Sequence, residues 1–223
     1  ETAWLLLKGN LPTQRELADF DRSLRESRSI HFRLKDLIKC MPPSGHPMDA
    51  LQASISALGM YTAERHVTNP AANWKAVVRL IAAMPTLVAA FARVRNGDEI
   101  LDPRPDLDHA GNFYYMLFGK EPTPAVRKVL DAALITPAEH TMNASTFTAR
   151  VTGSSLASPF AVVASAIGTL SGPLHGGANE EALGQFEEIG GTEKVKAWLD
   201  AKLAADPKFK IMGLGHRVYK VKD

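Results

Sequence analysis

Three observations predict an all-α fold. Apolar residues recur at three- and four-residue spacing in one segment after another, the period of a helix with one buried face. Prolines preceded by a hydroxyl residue, as in Thr123-Pro124 and Ser158-Pro159, stand where helices begin, because a first-turn proline has no amide to lose. Sustained polar/apolar alternation, the mark of a strand, is convincing nowhere. No repeat of about 20 to 50 residues is present, which excludes a helical solenoid.

In chain order, Leu11-Pro12-Thr13-Gln14-Arg15-Glu16 reads as a helix start. Thr13 caps the first turn and Glu16 reaches back to its amide; Leu17, Phe20 and Leu24 then share a face. Pro47 opens the next helix, with Met48, Leu51, Ile55 and Leu58 on one stripe and Gly59 as its limit. The strongest periodicity runs from Trp74 to Phe91 through Val77, Leu80, Ile81, Met84, Leu87 and Val88; Pro85 should kink this helix without ending it, and Asn96-Gly97 stops it. A Pro- and Asp-rich link over 102–106 leads to Phe113-Tyr114-Tyr115-Met116-Leu117-Phe118, expected as a buried helix closed by Gly119. Basic residues are absent between these aromatics, so they do not form a stacking platform for nucleic acid.

Thr123-Pro124 starts a helix with Val126, Leu130 and Leu134 on one face. The segment from Asn143 to Ser155 fits both periods: Phe147, Ala149 and Val151 alternate, while Ala144, Phe147, Thr148 and Val151 are helical. Ser158-Pro159 caps a helix with Phe160, Val163, Ile167 and Leu170 inward. Gly190-Gly191 and Asp206-Pro207 bracket a last helix carrying Val195, Trp198, Leu199 and Leu203.

At 45% hydrophobic residues, the 223-residue chain has ample material for a core. Its 26 Lys and Arg nearly balance 24 Asp and Glu, without blocks of like charge, so no broad basic face points to nucleic acid. Cys40 is alone and builds no disulfide framework, and no apolar run approaches a membrane span; no membrane role is expected. The first residues lack the basic-then-apolar order of a secretory signal. A cytoplasmic location is therefore expected, or a mitochondrial matrix one if a targeting segment has been removed. The seven histidines include no His-x-x-x-His pair, so no metal site is expected. No Gly-x-Ser-x-Gly elbow is present for a serine hydrolase.

Two stretches carry chemistry. In Ser171-Gly172-Pro173-Leu174-His175-Gly176-Gly177, a histidine stands between a Gly-Pro breaker and a Gly-Gly pair, at the mouth of the helix suggested by Glu180-Glu181-Ala182-Leu183. The positive end of a helix disfavours protonation of an imidazole and suits it to donate a hydrogen bond to a carbonyl as an enol forms. The plainer reading is a histidine in a tight turn. In Gly213-Leu214-Gly215-His216-Arg217-Val218, the glycines fall short of a dinucleotide fingerprint, having no third glycine and no preceding strand. Exposed amides with Arg217, Lys220 and Lys222 suit an anionic or phosphorylated ligand, the alternative being a basic surface loop.

Taken together, Gly172-Pro173-Leu174-His175-Gly176-Gly177-Ala178-Asn179-Glu180 and Met212-Gly213-Leu214-Gly215-His216-Arg217-Val218-Tyr219-Lys220 resemble the two histidine motifs of the citrate synthase family. Leu6-Leu7-Lys8-Gly9-Asn10-Leu11-Pro12-Thr13, His46-Pro47-Met48, Met84-Pro85-Thr86 and Glu139-His140-Thr141-Met142-Asn143-Ala144-Ser145-Thr146 are similar to further family segments in the family's order. The resemblance implies a large helical domain over 1–176 and the start of a smaller one over 177–223 that closes over the active site. It also implies condensation of acetyl-CoA with oxaloacetate, then thioester hydrolysis to citrate and CoA. His175 is implied to hydrogen-bond the thioester oxygen, His216 to polarise and protonate the keto group of oxaloacetate, and His140 to bind that substrate. The backbone of Ile211, Met212, Gly213, Leu214 and Gly215 is implied to line the CoA adenine. A homodimer is implied, with no resident cofactor, and Asn143 to Ser155 is implied to be helix. The chemistry is consistent: a proton beside a thioester carbonyl is weakly acidic, and its removal needs a carboxylate base together with a donor at the oxygen.

The sequence also departs from the family. The family's base is an aspartate well beyond the second histidine motif, and Asp223 instead matches the start of an Asp-Pro-Arg whose arginine binds oxaloacetate. The expectation is a fragment that does not turn over alone; citrate formation by the 223-residue chain would overturn it. Pro137 replaces a histidine or tyrosine common three residues before His140, and Leu214 stands where an aromatic or alanine is usual. A 2-methylcitrate synthase using propionyl-CoA is the near rival, since one methylene is discriminated by only about 1–3 kcal/mol. The rival of another class is a non-catalytic helical CoA-binding or assembly module.

Overall fold

The computed structural model describes residues 1–62 and 67–214. Among them are eleven α-helices, one 3₁₀ turn and no strand. The helices are α1 Thr2–Lys8, α2 Gln14–Glu26, α3 Phe32–Lys39, α4 Pro47–Met60, α5 Pro70–Arg95, α6 His109–Phe118, α7 Pro124–Ile135, α8 Ala144–Ser154, α9 Pro159–Leu170, α10 Gly177–Ile189 and α11 Val195–Ala205. The chain divides into two compact units, Glu1–Gly168 and Thr169–Asp223. The division falls in the last turn of α9.

The first unit is built around α5. Its 26 residues reach about 39 Å at 1.5 Å per residue, and it packs against α2, α3, α4 and α6. Ala72, Ala76, Val78, Leu80, Ala83, Leu87, Ala90 and Phe91 are all buried, so this helix is apolar on more than one face. By length and composition it is apolar enough to cross a membrane, but 56% of its most apolar window is buried within the protein. Pro85 sits inside the helix without ending it, as expected. Leu34, Ile38, Ile55, Leu58, Leu87 and Phe160 complete the core from α3, α4, α5 and α9. Burial of each such side chain is worth about 1.5–3 kcal/mol.

Local signals set the helix ends. Thr13 and Glu16 form the expected capping box, which holds the Glu16 carboxyl below its usual pKa through hydrogen bonds from Thr13. Asn143 caps α8 through Thr146 N at 2.9 Å, so the segment that fitted both periods is helix. Gly119 and Gly190 adopt the left-handed conformation that closes α6 and α10.

Packing adds to one expectation and corrects two. Gly59 stands one residue before the end of α4, as expected, but its role is steric: it is buried, and a Cβ there would stand 2.8 Å from Cβ of Phe160. The missing side chain is what lets α9 approach α4. The aromatics of α6 are half-buried, and Phe118 is exposed; the buried face is Ala110, Gly111, Asn112 and Met116. Asn112 Oδ1 accepts from Arg104 N at 2.8 Å, so a polar residue occupies the inner position to satisfy a loop amide. Leu170, expected inward on α9, is exposed.

Arginine side chains tie the α2–α3 turn to the loop before α6. Arg25 Nη1 donates to Pro105 O at 2.8 Å and Leu107 O at 2.7 Å. The fully buried Arg28 donates to Arg104 O at 3.0 Å and Leu107 O at 2.7 Å, and its own carbonyl accepts from Thr86 Oγ1 at 3.0 Å. Burial lowers the pKa of Arg28, and beside it that of His109 at the start of α6.

Candidate functional site

His175 lies two residues before the first residue of α10, in a turn that backbone hydrogen bonds close. His175 N donates to Gly172 O at 2.9 Å, Gly177 N donates to the same oxygen at 3.1 Å, and Ala178 N donates to His175 O at 3.1 Å. The two glycines after it are steric requirements. A Cβ at Gly176 would meet Leu170 O at 2.6 Å, and one at Gly177 would meet Gly172 O at 2.9 Å and Ser171 O at 3.0 Å. Gly-Gly therefore lets the chain fold back on itself and turn straight into a helix, which places a half-buried imidazole beside the positive end of α10. The first amides of that helix bond to carbonyls within the turn.

The described part of the second candidate loop belongs to the same unit. Met212 N donates to Gln185 Oε1 at 3.0 Å, and Gly213, at φ 80°, passes so close to α10 that a Cβ would stand 3.1 Å from Cβ of Ala182. Ile211 to Leu214 therefore lies along the helix that begins beside His175, its anchor roughly 12 Å up the axis at 1.5 Å per residue. Ile211 and Met212 are half-buried, while Gly213 and Leu214 are exposed. An ion pair of 2.7 Å between Lys202 and Glu188, and the edge contact of Trp198 with Phe209 at 5.5 Å, hold α11 and the chain after it to this arrangement. Gln185 and Ala182 escaped the sequence reading; an anchor 27 residues away leaves no local signal. Gly215 and His216 lie outside the described residues.

His140 belongs to the first unit, in the short link between α7 and α8. It is half-buried and followed by Thr141 at φ 70°, one of two described non-glycine residues in the left-handed region. A β-branched residue resists that conformation, at a cost of about 1–2 kcal/mol. Thr141 N donates to Glu139 Oε1 at 2.6 Å and Asn143 N to Thr141 O at 3.0 Å, bonds that hold the link against the strain before Asn143 starts α8. Strain next to a candidate ligand-binding histidine is where a functional position is commonly found. Sequence reasoning singled out His140 but gave no sign of the strained neighbour.

Two cavities of about 240 and 250 Å³ lie in the first unit. One is lined by Asp106, Asp108, Gly111, Glu121 and Arg127, the other by Trp4, Lys8, Glu16, Phe20 and Trp74; neither includes a candidate histidine. Among the described residues no group of three His, Cys, Asp or Glu side chains is placed to hold a metal ion.

With this geometry in view, comparison with known proteins is informative. The family model of the citrate synthase C-terminal domain matches residues 1–223. A citrate synthase of Synechocystis sp. is 55% identical over 223 residues, 100% of this chain and 56% of that protein. A 2-methylcitrate synthase of Mycobacterium tuberculosis is 42% identical over 220 residues, 99% of this chain and 55% of that protein. Among solved structures, citrate synthase from Pyrobaculum aerophilum superposes with a TM-score of 0.87 at 38% identity, over 98% of this chain and 56% of that one. The Thermoplasma acidophilum citrate synthase, in ternary complex with carboxymethyl coenzyme A and oxaloacetate, gives a TM-score of 0.91 at 28% identity, over 99% of this chain and 57% of that one. The chain spans a little over half the length of the relatives it matches.

Proposed function

The chain belongs to the citrate synthase family, and from that premise we propose that it carries most of the substrate-handling residues of a citrate synthase. The reaction is condensation of acetyl-CoA with oxaloacetate followed by thioester hydrolysis. The observation that carries this reading is the His175 turn, whose paired glycines and backbone bonds fix an imidazole beside the N-terminal end of α10. His175 donates to the thioester oxygen as the enol forms. A fixed donor aimed at developing negative charge is typically worth about 10² to 10³ in rate. His216 polarises and protonates the keto oxygen of oxaloacetate, and His140 binds that dianion. The backbone of Ile211, Met212, Gly213, Leu214 and Gly215 receives the adenine end of CoA; the anchoring of Met212 on Gln185 supports a preformed loop there.

Acyl-CoA and oxaloacetate are substrates in this reading, and no resident cofactor is required. The working form is a homodimer in the cytoplasm, or in the mitochondrial matrix where a targeting segment has been removed. A second reading, 2-methylcitrate synthase with propionyl-CoA, is supported by the 42% identical relatives of that name. The test is oxaloacetate-dependent CoA release by the longest polypeptide that carries residues 1–223, assayed in parallel with acetyl-CoA and propionyl-CoA and with a His175→Ala control. Release abolished by the control supports the assignment, and the ratio of rates chooses the acyl group. Absence of release with both thioesters in a folded protein would sink the enzyme reading.

A further inference from the structure

The cavity between α1, α2 and α5 has the composition of a cation site. Trp4 meets Phe20 with ring centroids 5.5 Å apart and Trp74 at 5.8 Å, and Phe20 meets Trp74 at 5.7 Å, so three aromatic side chains from three helices wall one pocket of about 250 Å³. Lys8 Nζ stands 3.8 Å from the Trp74 ring centroid and 5.6 Å from that of Trp4. Glu16 and Asp19 add carboxylates to the lining. This ammonium therefore sits where the ring quadrupoles attract positive charge.

We propose that the pocket walled by Trp4, Phe20 and Trp74 binds a small quaternary ammonium ion, and that Lys8 is its intramolecular occupant when that ligand is absent. Three features select this ligand class. Aromatic faces favour a poorly hydrated cation, because little hydration is lost on contact. The carboxylates of Glu16, which accepts from Thr13, and of Asp19, which pairs with Arg15 and Arg22, add acceptor oxygens at the rim. The present occupant is easily displaced: Lys8 is exposed and reaches the rings on a flexible four-carbon stem. A free ligand thus competes with an exposed lysine and not with a packed core. Displacement of Lys8 changes the surroundings of Trp4 and Trp74 together, which makes binding visible.

The experiment is a choline titration of the whole chain at constant chloride, read by tryptophan fluorescence in a Trp198→Phe background, so that only Trp4 and Trp74 report. A saturable, millimolar response is expected in the parent, tighter by about tenfold in Lys8→Met, where the competing charge is gone. Trp74→Leu should abolish it. The neutral isostere of choline, with a tert-butyl group in place of trimethylammonium, should give no response at the same concentrations. Far-UV circular dichroism confirms folding, and Lys8→Gln replaces Lys8→Met if the latter fails to fold. No response in a folded Lys8 variant overturns the proposal, and so does an equal response to the neutral isostere, which would mean an apolar cavity only.

Discussion

Alanine at Gly177 tests the geometry of the His175 turn most directly. The new Cβ would stand 2.9 Å from Gly172 O, 3.0 Å from Ser171 O and 3.1 Å from Gly172 C, all backbone atoms that no rotamer change can move. Relief to ordinary contact needs a displacement of about 0.5 Å. The oxygen to be displaced, Gly172 O, is the acceptor for both His175 N and Gly177 N. Weakening two hydrogen bonds costs about 1 kcal/mol each, offset by up to about 1 kcal/mol from the better helix propensity of alanine. The expected net loss is about 1–2 kcal/mol. Gly184 provides the control, for it lies in the same helix and a Cβ there meets nothing within 4 Å. Gly184→Ala should therefore stabilise α10 by about 0.5–1 kcal/mol. Hydrogen exchange of the α10 amides, followed by mass spectrometry, reads both effects: protection should fall about tenfold in Gly177→Ala and rise in Gly184→Ala. Equal or raised protection in Gly177→Ala would refute the claim that close backbone approach, and not loop flexibility, requires glycine beside His175.

Three further outcomes follow from the same reasoning. Gly59→Ala should destabilise the first unit by about 1 kcal/mol in urea denaturation, because overpacking against the root of Phe160 outweighs the gain in helix propensity. Thr141→Asn should stabilise by about 0.5–1 kcal/mol, since asparagine tolerates the left-handed conformation that Thr141 occupies; a loss of stability would show that the threonine side chain outweighs the strain. Burial, reinforced by the charge of Arg28, depresses the pKa of His109 in the folded chain, so the unfolded chain binds the extra proton first. Stability is then fully present above the unfolded value of about 6.5 and declines as pH falls through the window down to the folded pKa. His109→Gln should flatten the dependence of the denaturation midpoint on pH between about 7 and 5, and an unchanged slope would contradict the assignment.

Much of the fold was legible in the sequence because helix ends are local events. Thr13 with Glu16, Thr123 with Pro124, and Gly119 each act through dihedral angles and hydrogen bonds within four residues, and each lies where the sequence reading put it. His175 and His216 stood out as candidates because glycines packed around a histidine form a motif that needs no structure to be seen. Family membership followed from such motifs in order.

What only the tertiary structure decided are distances between segments far apart in the chain. The sequence presents Gly59 as a helix limit, and α4 does end beside it, but only the approach of Phe160 shows that its missing side chain creates a helix contact. The aromatic run of α6 reads as a buried face by hydrophobicity, yet the inner position went to Asn112, because the loop amide of Arg104 had to find an acceptor. The tie of Met212 to Gln185 and the strain at Thr141 are likewise silent in sequence, since each is fixed by what the rest of the chain brings alongside. The sequence by itself therefore determined the helix ends that carry a local cap signal and which histidines stand out, while α1 and α3 carry no such signal in the reading. Packing decided which glycines are obligatory and which polar groups are buried, because these depend on steric fit and hydrogen-bond satisfaction between segments that no local pattern encodes.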